Sequence, residues 1–470
     1  MTGEAKDKCG VFGVWGAPDA AHLAYTALYA QQHRGQESAG IAVSDGAVLR
    51  AHVGMGLVAD VFDAEILEKL RGAAAIGHNR YSTTGSSKPC NAQPLLEGYV
   101  GGQVAVAHNG NLINAALLRQ AYEERGHIFH TTTDTEVIIH LLASHHLSKE
   151  DPLAEALTHL QGAYSLVFLF RDRIEAVRDP WGWRPLVLGQ TGEGHWCVAS
   201  ETVALDAIGA KFVREVEPGE IVTLSDAGIS SRRFAAPQTP AHCIFEHVYF
   251  ANPSSVVFGE TVQLVRERLG EQLAIEAPVE ADYVIPMPDS GRSASLGYAR
   301  QSGIDYREGI VPNRYVGRTF IQPTQAQRNA AVQLKHNVVS DIVRGKRIVV
   351  VDDSIVRGTT TRGKMKQLRK AGAKEIHLRI SCPPIRHACY FGVDFPDKTQ
   401  LVAHNRTVEE IREFLGVDSL HFLSLEGMLR CVKLPAEHYC TACWSGQYRL
   451  NVEKPVSKLD LELHQLRIFS

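Results

Sequence analysis

Long apolar runs are missing from this 470-residue chain: the best, residues 163–170, is short and strand-like, against the roughly 18 residues needed to cross a bilayer. No membrane partner is expected. Cysteine is scarce, nine in all, which excludes a disulfide scaffold and leaves the thiols as candidates for chemistry or metal binding. Neither sign of charge dominates: 49 Lys and Arg face 52 Asp and Glu, a net of −3. There is thus no global attraction to nucleic acid. Repeats, low-complexity stretches and a Walker A loop are also absent. The first eight residues are polar and mixed in charge, unlike a secretory leader, so a cytoplasmic protein is expected.

What is present is two grammars in succession. Up to about residue 235 the chain reads as many short strands with few helices. Strands are expected over 9–15, 103–107 and 163–170, with a hairpin at Ser44-Asp45-Gly46. A helix is expected over 22–32, with Gly35 as its C-cap. Thr133 and Glu136 stand at capping-box spacing before an apolar helix at 137–142. The run Ala235-Ala-Pro-Gln-Thr-Pro240 breaks the pattern, and a boundary is placed near it. Beyond it strands and helices alternate: strands at 283–286, 347–351 and 375–380, helices at 293–301 and 360–371. Such alternation predicts a parallel sheet with ligand at the C-terminal strand ends. A last helix should open with Thr407 and Glu410, again at capping-box spacing.

The strand at 347–351 delivers two adjacent carboxylates, Asp352 and Asp353, followed by a loop of Gly358, Thr359, Thr360 and Thr361 that opens a helix. Backbone amides at a helix start, with hydroxyls, cradle a phosphate. Paired carboxylates beside them suit ribose hydroxyls and Mg²⁺. Between Arg314 and Lys366 eleven Lys and Arg face three Asp, a local +8 that fits a small polyanionic substrate; a solvated basic face is the plainer alternative. This segment resembles the phosphoribosyl pyrophosphate (PRPP) motif of the type I phosphoribosyltransferases. The resemblance implies that Asp352 and Asp353 hold ribose hydroxyls and Mg²⁺, and that Gly358, Thr359, Thr360 and Thr361 take the 5-phosphate. It further implies that Ser290, in Pro288-Asp289-Ser290-Gly291, is a ligand of Mg²⁺ or diphosphate, and that residues 313–335 close over PRPP as a lid, shielding the C1 centre from water.

Cys9 begins a strand after eight polar residues. Were those removed, its α-amine, of pKa about 8, would stand beside its thiol and could act as its base. A buried structural thiol is the plainer alternative for Cys9 alone. Four more segments, around His33-Arg34-Gly35-Gln36, Gly77 to Gly85, His108-Asn109-Gly110-Asn111 and Thr131 to Glu136, together with Cys9, resemble the N-terminal-nucleophile (class II) glutamine amidotransferases. By that resemblance Arg80 pairs with the glutamine α-carboxylate and Asp134 with its α-ammonium. The Asn109 side-chain amide and the Gly110 N–H would form the oxyanion hole.

Cys440 and Cys443 supply two thiolates from one turn. Two more soft ligands would complete a tetrahedral or cubane site, and spacing alone does not rank Cys243, Cys382, Cys389 and Cys431. As a whole the chain resembles the glutamine PRPP amidotransferases, in their iron–sulfur-bearing branch. That resemblance selects Cys243, Cys389, Cys440 and Cys443 as ligands of a [4Fe–4S] cluster, with Cys382 the contender and zinc suiting four thiolates as well. Two places depart from the family pattern: Asn252-Pro-Ser-Ser255, and Trp181 and Trp183 flanking Gly182.

The expected fold class is α/β and α+β in two domains. A propeptide of residues 1–8 precedes an αββα amidotransferase sandwich at 9–235, and a phosphoribosyltransferase domain with a cysteine-bearing tail follows at 236–470. The expected function is glutamine hydrolysis with transfer of ammonia to C1 of PRPP through an internal passage. Glutamine and PRPP would be the small-molecule substrates, with no nucleic acid partner, purine nucleotides feedback inhibitors, and the assembly a homo-oligomer. Two rivals are a non-catalytic PRPP-sensing regulator, which has no use for Cys9, Arg80, Asn109 and Asp134, and another class II amidotransferase, which leaves Asp352 and Asp353 unexplained.

Overall fold

The structure is a computed structural model that describes residues 9–81, 84–144, 150–312, 336–394, 398–452 and 461–462. The expected propeptide and the 313–335 lid lie outside the described residues.

Two antiparallel sheets build the first half. The seven-stranded sheet runs in the order Lys211–Glu215, Val187–Gln190, Trp196–Ala199, Gly10–Trp15, Ala74–Arg80, Ser38–Ser44, Leu49–Met55. The six-stranded sheet runs Gly228–Arg233, Glu220–Ser225, Ile174–Arg178, Gly162–Leu169, Gly102–Leu112, Leu95–Tyr99. Side chains of successive strand residues point to opposite faces. Val11 therefore joins Ile76 and Val198 against Ala105, Val167 and Val222 between the sheets, while Phe12 and Val14 face the helices Ala20–Ala30 and Thr202–Ala207 outside. Thr135–Leu142 and Pro152–Thr158 cover the far side through Val137, Leu141 and Leu153. The layers are helix, sheet, sheet, helix, as expected.

Two local expectations are corrected. The helix Ala20–Ala30 is capped by Gln31, and Gly35 closes instead the short 3-10 turn Gln32–Arg34 that follows, in extended conformation at φ −158° and not in the left-handed region. A Cβ there would lie 2.6 Å from the Asn79 carbonyl carbon, so glycine is required by the close seat of this turn on the strand Ala74–Arg80. The Thr133–Glu136 capping box does not form. Glu136 accepts from the His130 and Thr131 amides at 2.7 and 2.8 Å, and the helix starts at Thr135 behind Asp134 with no side-chain cap. The box at Thr407 and Glu410 does form, ahead of Val408–Leu415.

In the second half Tyr283–Pro286, Arg347–Asp352, Glu375–Ile380 and Ser419–Phe422 make a wholly parallel sheet. Its central strand is buried on both faces, which is why it reads as Ile-Val-Val-Val. Helices Val262–Glu276, Arg292–Ser302 and Thr359–Lys370 contribute Leu269, Tyr298 and Leu368 to its core. A two-residue strand, His242–Cys243, pairs in parallel with Tyr439–Cys440 and ties the tail to the segment between the halves. Among the described residues no helix is long and apolar enough to cross a membrane.

Candidate active sites

Cys9 immediately precedes the strand Gly10–Trp15, whose Gly10 is registered against Asn79. Its thiol donates to the Tyr81 carbonyl at 3.4 Å. Burial pushes that thiol up to about 11; Arg80 draws it down, and Asp134 and Glu37 push it up. Residues far apart in sequence thus act on one sulfur.

Arg80 ends the strand Ala74–Arg80, buried, donating to the Thr84 carbonyl at 3.2 Å and the Ser86 carbonyl at 3.4 Å, and 3.6 Å from the Glu37 carboxylate. Asp134 accepts from the Leu112 amide at 2.9 Å and lies 3.6 Å from His108 Nδ1. Burial lifts its carboxyl, but His108 and the hydrogen bonds outweigh that and hold it below the usual range. A fixed cation and a fixed anion in this neighbourhood are what a zwitterionic amino acid requires.

Asn109 and Gly110 sit on the strand Gly102–Leu112. The Asn109 amide nitrogen reaches Ser200 Oγ at a long 3.5 Å, and its oxygen is buried without a partner. Gly110 is required by the strand beside it: a Cβ would lie 1.9 Å from the Ala163 carbonyl oxygen. Sequence reading missed Ser200, whose hydroxyl takes the Val11 amide at 2.9 Å. It also left unassigned Asn111, which accepts from Thr84 at 2.5 Å and donates to the Tyr390 carbonyl of the other half at 2.9 Å.

The second site opens at the C-terminal ends of two adjacent parallel strands. Asp352 closes the strand Arg347–Asp352, and its neighbour Tyr283–Pro286 leads into Ser290. Both carboxylates are buried. The Asp353 amide donates to Asp352 Oδ1 at 2.9 Å, and Ser354 donates to Asp353. Burial pushes the Asp353 carboxyl above the usual range, against hydrogen bonds from Ser290 and Ser354 and the charge of Arg266. Arg266, buried and brought down to about 10 by that burial, donates to the His247 and Ala251 carbonyls at 2.7 and 2.8 Å. Gly358, at φ +75°, caps the helix Thr359–Lys370 in the left-handed region. The turn aligns the first amides of that helix beside Thr359, Thr360 and Thr361, Thr361 being buried.

Cys243, Cys389, Cys440 and Cys443 form a third group. Cys243 and Cys440 are registered partners across the short parallel pair. Burial pushes the thiols up, Cys389 to about 11 and Cys440 to about 12, with Cys243 and Cys443 raised too, and the sulfurs raise one another further. Cys431 stands apart, donating to the Arg268 and Gly427 carbonyls. Cys382 donates to the Pro383 carbonyl and bears only weakly on Cys443. Among the described residues no group of three or more His, Cys, Asp and Glu is placed to hold a metal ion.

A model of the glutamine amidotransferase domain matches residues 78–207. The amidophosphoribosyltransferase of Methanothermobacter thermautotrophicus is 49% identical, over 97% of this chain and 98% of its own length. This chain belongs to the amidophosphoribosyltransferase family. The chloroplastic amidophosphoribosyltransferase of Glycine max is also 49% identical, over 98% of this chain and 81% of its own length. Among solved structures, the glutamine PRPP amidotransferase of B. subtilis complexed with ADP and GMP superposes with a TM-score of 0.90 at 45% identity, covering 96% of this chain and 99% of that one. A structure described as the allosteric regulatory enzyme of purine biosynthesis gives a TM-score of 0.91 at 45% identity, covering 96% of this chain and 98% of that one. Family membership and the observed sheets agree on one architecture, an amidotransferase sandwich followed by a phosphoribosyltransferase sheet.

Proposed function

We propose that this chain performs its family's reaction with a division of labour between the two sites. It hydrolyses glutamine and delivers the ammonia to C1 of PRPP, giving 5-phosphoribosylamine, glutamate and diphosphate. The observation that carries the assignment of residues is the seating of Cys9 beside Arg80, with its thiol donating to the Tyr81 carbonyl and Gly10 registered against Asn79. Arg80 takes the α-carboxylate of glutamine and Asp134 its α-ammonium, which presents the carboxamide to the sulfur. A thiol raised to about 11 is unreactive at neutral pH; removal of residues 1–8 would leave an α-amine to accept its proton. Attack on the carboxamide forms a tetrahedral oxyanion held by the Asn109 amide and the Gly110 N–H, each such donor being worth about 3 kcal/mol. Its long bond to Ser200 makes the Asn109 amide cheap to redirect. Collapse expels ammonia, and water cleaves the thioester.

In the second site Gly358, Thr359, Thr360 and Thr361 take the 5-phosphate, and Asp352 and Asp353 take the ribose hydroxyls. The donor set, two buried carboxylates with the Ser290 and Ser354 hydroxyls, fits a hard divalent cation. Asp352, Asp353 and Ser290 would hold Mg²⁺, which would stabilise the departing diphosphate. Four thiols, placed so that Cys243 raises Cys389, Cys440 and Cys443, fit a soft metal, which binds sulfur as thiolate. Cys243, Cys389, Cys440 and Cys443 would hold a [4Fe–4S] cluster as a structural staple between tail and junction. The division near residue 235, a cytoplasmic setting, feedback by purine nucleotides and homo-oligomeric assembly complete the reading; the ADP and GMP of the B. subtilis complex support the feedback.

The test is to mix protein, glutamine, PRPP and Mg²⁺ and measure diphosphate, then repeat with Cys9→Ser. The variant should lose glutamine-dependent turnover and keep turnover with free ammonia at high pH. Absence of diphosphate with the unaltered protein would reject the function, and loss of both activities in Cys9→Ser would reject the division of labour.

A further inference from the structure

The thiol site is joined to the segment between the halves by buried charge. Arg34 Nε donates to the Cys9 carbonyl at 3.1 Å. Its two terminal nitrogens form a fork on Glu246, at 3.1 and 3.0 Å, and one of them also donates to Glu201. All three side chains are fully buried. Arg184 Nη1 lies 3.5 Å from Glu246, and its Nη2 donates to the Phe391 carbonyl. The second oxygen of Glu201 accepts the Asn252 amide at 2.8 Å and the Ser255 hydroxyl at 2.7 Å. Two guanidinium groups face two carboxylates, with His33 Nε2 also 2.9 Å from Glu201 Oε1, and Arg34, Arg184 and Glu201 each grip backbone or side chains of residues 246–255 or of the tail half.

Arrays of this kind carry a large desolvation cost and often add little net stability, so their value lies in what they hold in place. Here that is the Cys9 carbonyl. Once residues 1–8 are gone, Cys9 has a single covalent neighbour, and its placement rests on Arg34 and on the strand pairing that begins at Gly10. Glu246 opens the short helical turn Glu246–Phe250, three residues after Cys243 and its strand partner Cys440.

We propose that Glu246 is a positioning residue for the Cys9 nucleophile, transmitting the arrangement of the junction between the halves to the glutamine site through Arg34. The proposal rests on the reading of Cys9 as nucleophile. Glu246 touches neither substrate; it acts by orienting Arg34, and a misplacement of the reacting atom by about 1 Å can cost on the order of 100-fold in rate.

The experiment compares the mature protein with Glu246→Gln, measuring kcat and KM for glutamine, ammonia-dependent turnover, melting temperature, and alkylation of Cys9 by iodoacetamide. The expected result is a loss of about 10- to 100-fold in glutamine-dependent kcat, an unchanged KM because Arg80 and Asp134 are untouched, and unchanged ammonia-dependent turnover. Parallel loss of both activities, or no change in either, overturns the proposal. Glu246→Asp keeps the charge and withdraws it from the fork by one methylene. It should show the same split at smaller amplitude, and it decides the matter should the Gln variant not fold. If alkylating Cys9 in the unaltered protein leaves glutamine turnover intact, the reading of Cys9 is wrong. If alkylation abolishes it and neither Glu246 variant shows the split, only the positioning role is wrong.

Discussion

Gly358→Ala is the perturbation whose size the structure defines best. Gly358 sits at φ +75°, ψ −4°, where a residue with a Cβ pays about 1–2 kcal/mol. The added methyl would meet Phe414 Cε1 at 3.2 Å, a few tenths of an ångström too close, and Val402 and Ile355 at ordinary contact of 3.5 and 3.6 Å. Packing therefore adds little, and the backbone term dominates. A destabilisation of about 1–2 kcal/mol should lower the melting temperature of the phosphoribosyltransferase half by about 2–8 °C. The same strain is relieved by tilting the first amides of the helix Thr359–Lys370 away from their common focus. Losing one well-aligned charge-assisted hydrogen bond, at about 1.5–3 kcal/mol, raises the KM for PRPP by roughly 10- to 100-fold. The assay is steady-state kinetics with PRPP varied at saturating ammonia, beside glutaminase activity measured without PRPP. Glutaminase activity should be unchanged, because the side chains nearest the added methyl, Phe414, Val402 and Ile355, are not residues of that site. A variant with the original KM for PRPP and the original melting temperature would refute the claim that the left-handed turn shapes the phosphate cradle.

Other predictions follow from burial and charge. Gly110→Ala would force its methyl onto the Ala163 carbonyl at 1.9 Å, so the strands Gly102–Leu112 and Gly162–Leu169 must separate locally; glutamine turnover should vanish while ammonia-dependent turnover persists, checked by both assays. Cys440→Ala removes one of four mutually coupled thiols; the unaltered protein should be brown and contain iron and sulfide, and the variant should be colourless and fold poorly, whereas a zinc-loaded colourless parent would defeat the iron assignment. Burial holds His78, His242 and His247 down to about 3. The unfolded chain therefore takes up protons near 6.5 that the folded chain refuses, and stability present above that pH is lost as pH falls, by about 1.4 kcal/mol per unit for each histidine. Asp179, lifted by burial to about 6, and Asp353, also raised by burial, work in the opposite sense, but three groups outweigh two. Melting temperature should fall steadily from pH 7 to 5, and a flat or rising profile would contradict this balance.

The features legible in the sequence were those written in consecutive residues. Asp352, Asp353 and the Gly358 turn stand on one strand–loop–helix unit, so local grammar alone exposed them, and the box at Thr407 and Glu410 formed because each side chain takes the other's backbone amide. The box at Thr133 and Glu136 failed because Glu136 is engaged by the His130 and Thr131 amides, and Asp134, at the helix start, holds the Leu112 amide. Gly35 matched a cap by position, yet its reason lies across the sheet, in the backbone of Asn79. The Arg34, Glu201 and Glu246 array was invisible for the same reason: its members come from three distant segments, and ion pairing leaves no period along the chain. Spacing could not choose among the cysteines, because the pairing that sets Cys243 beside Cys440 is made across the fold and leaves no signal along the chain.

That short parallel pair also bears on biogenesis. The strand His242–Cys243 leaves the ribosome long before Tyr439–Cys440, and at 5–20 residues per second the wait is roughly 10–40 seconds. During it the nascent sandwich has its complement of strands, but the segment carrying Glu246 lacks its final strand partner. Translation order thereby leaves the tail among the last elements to be tied to the segment between the halves.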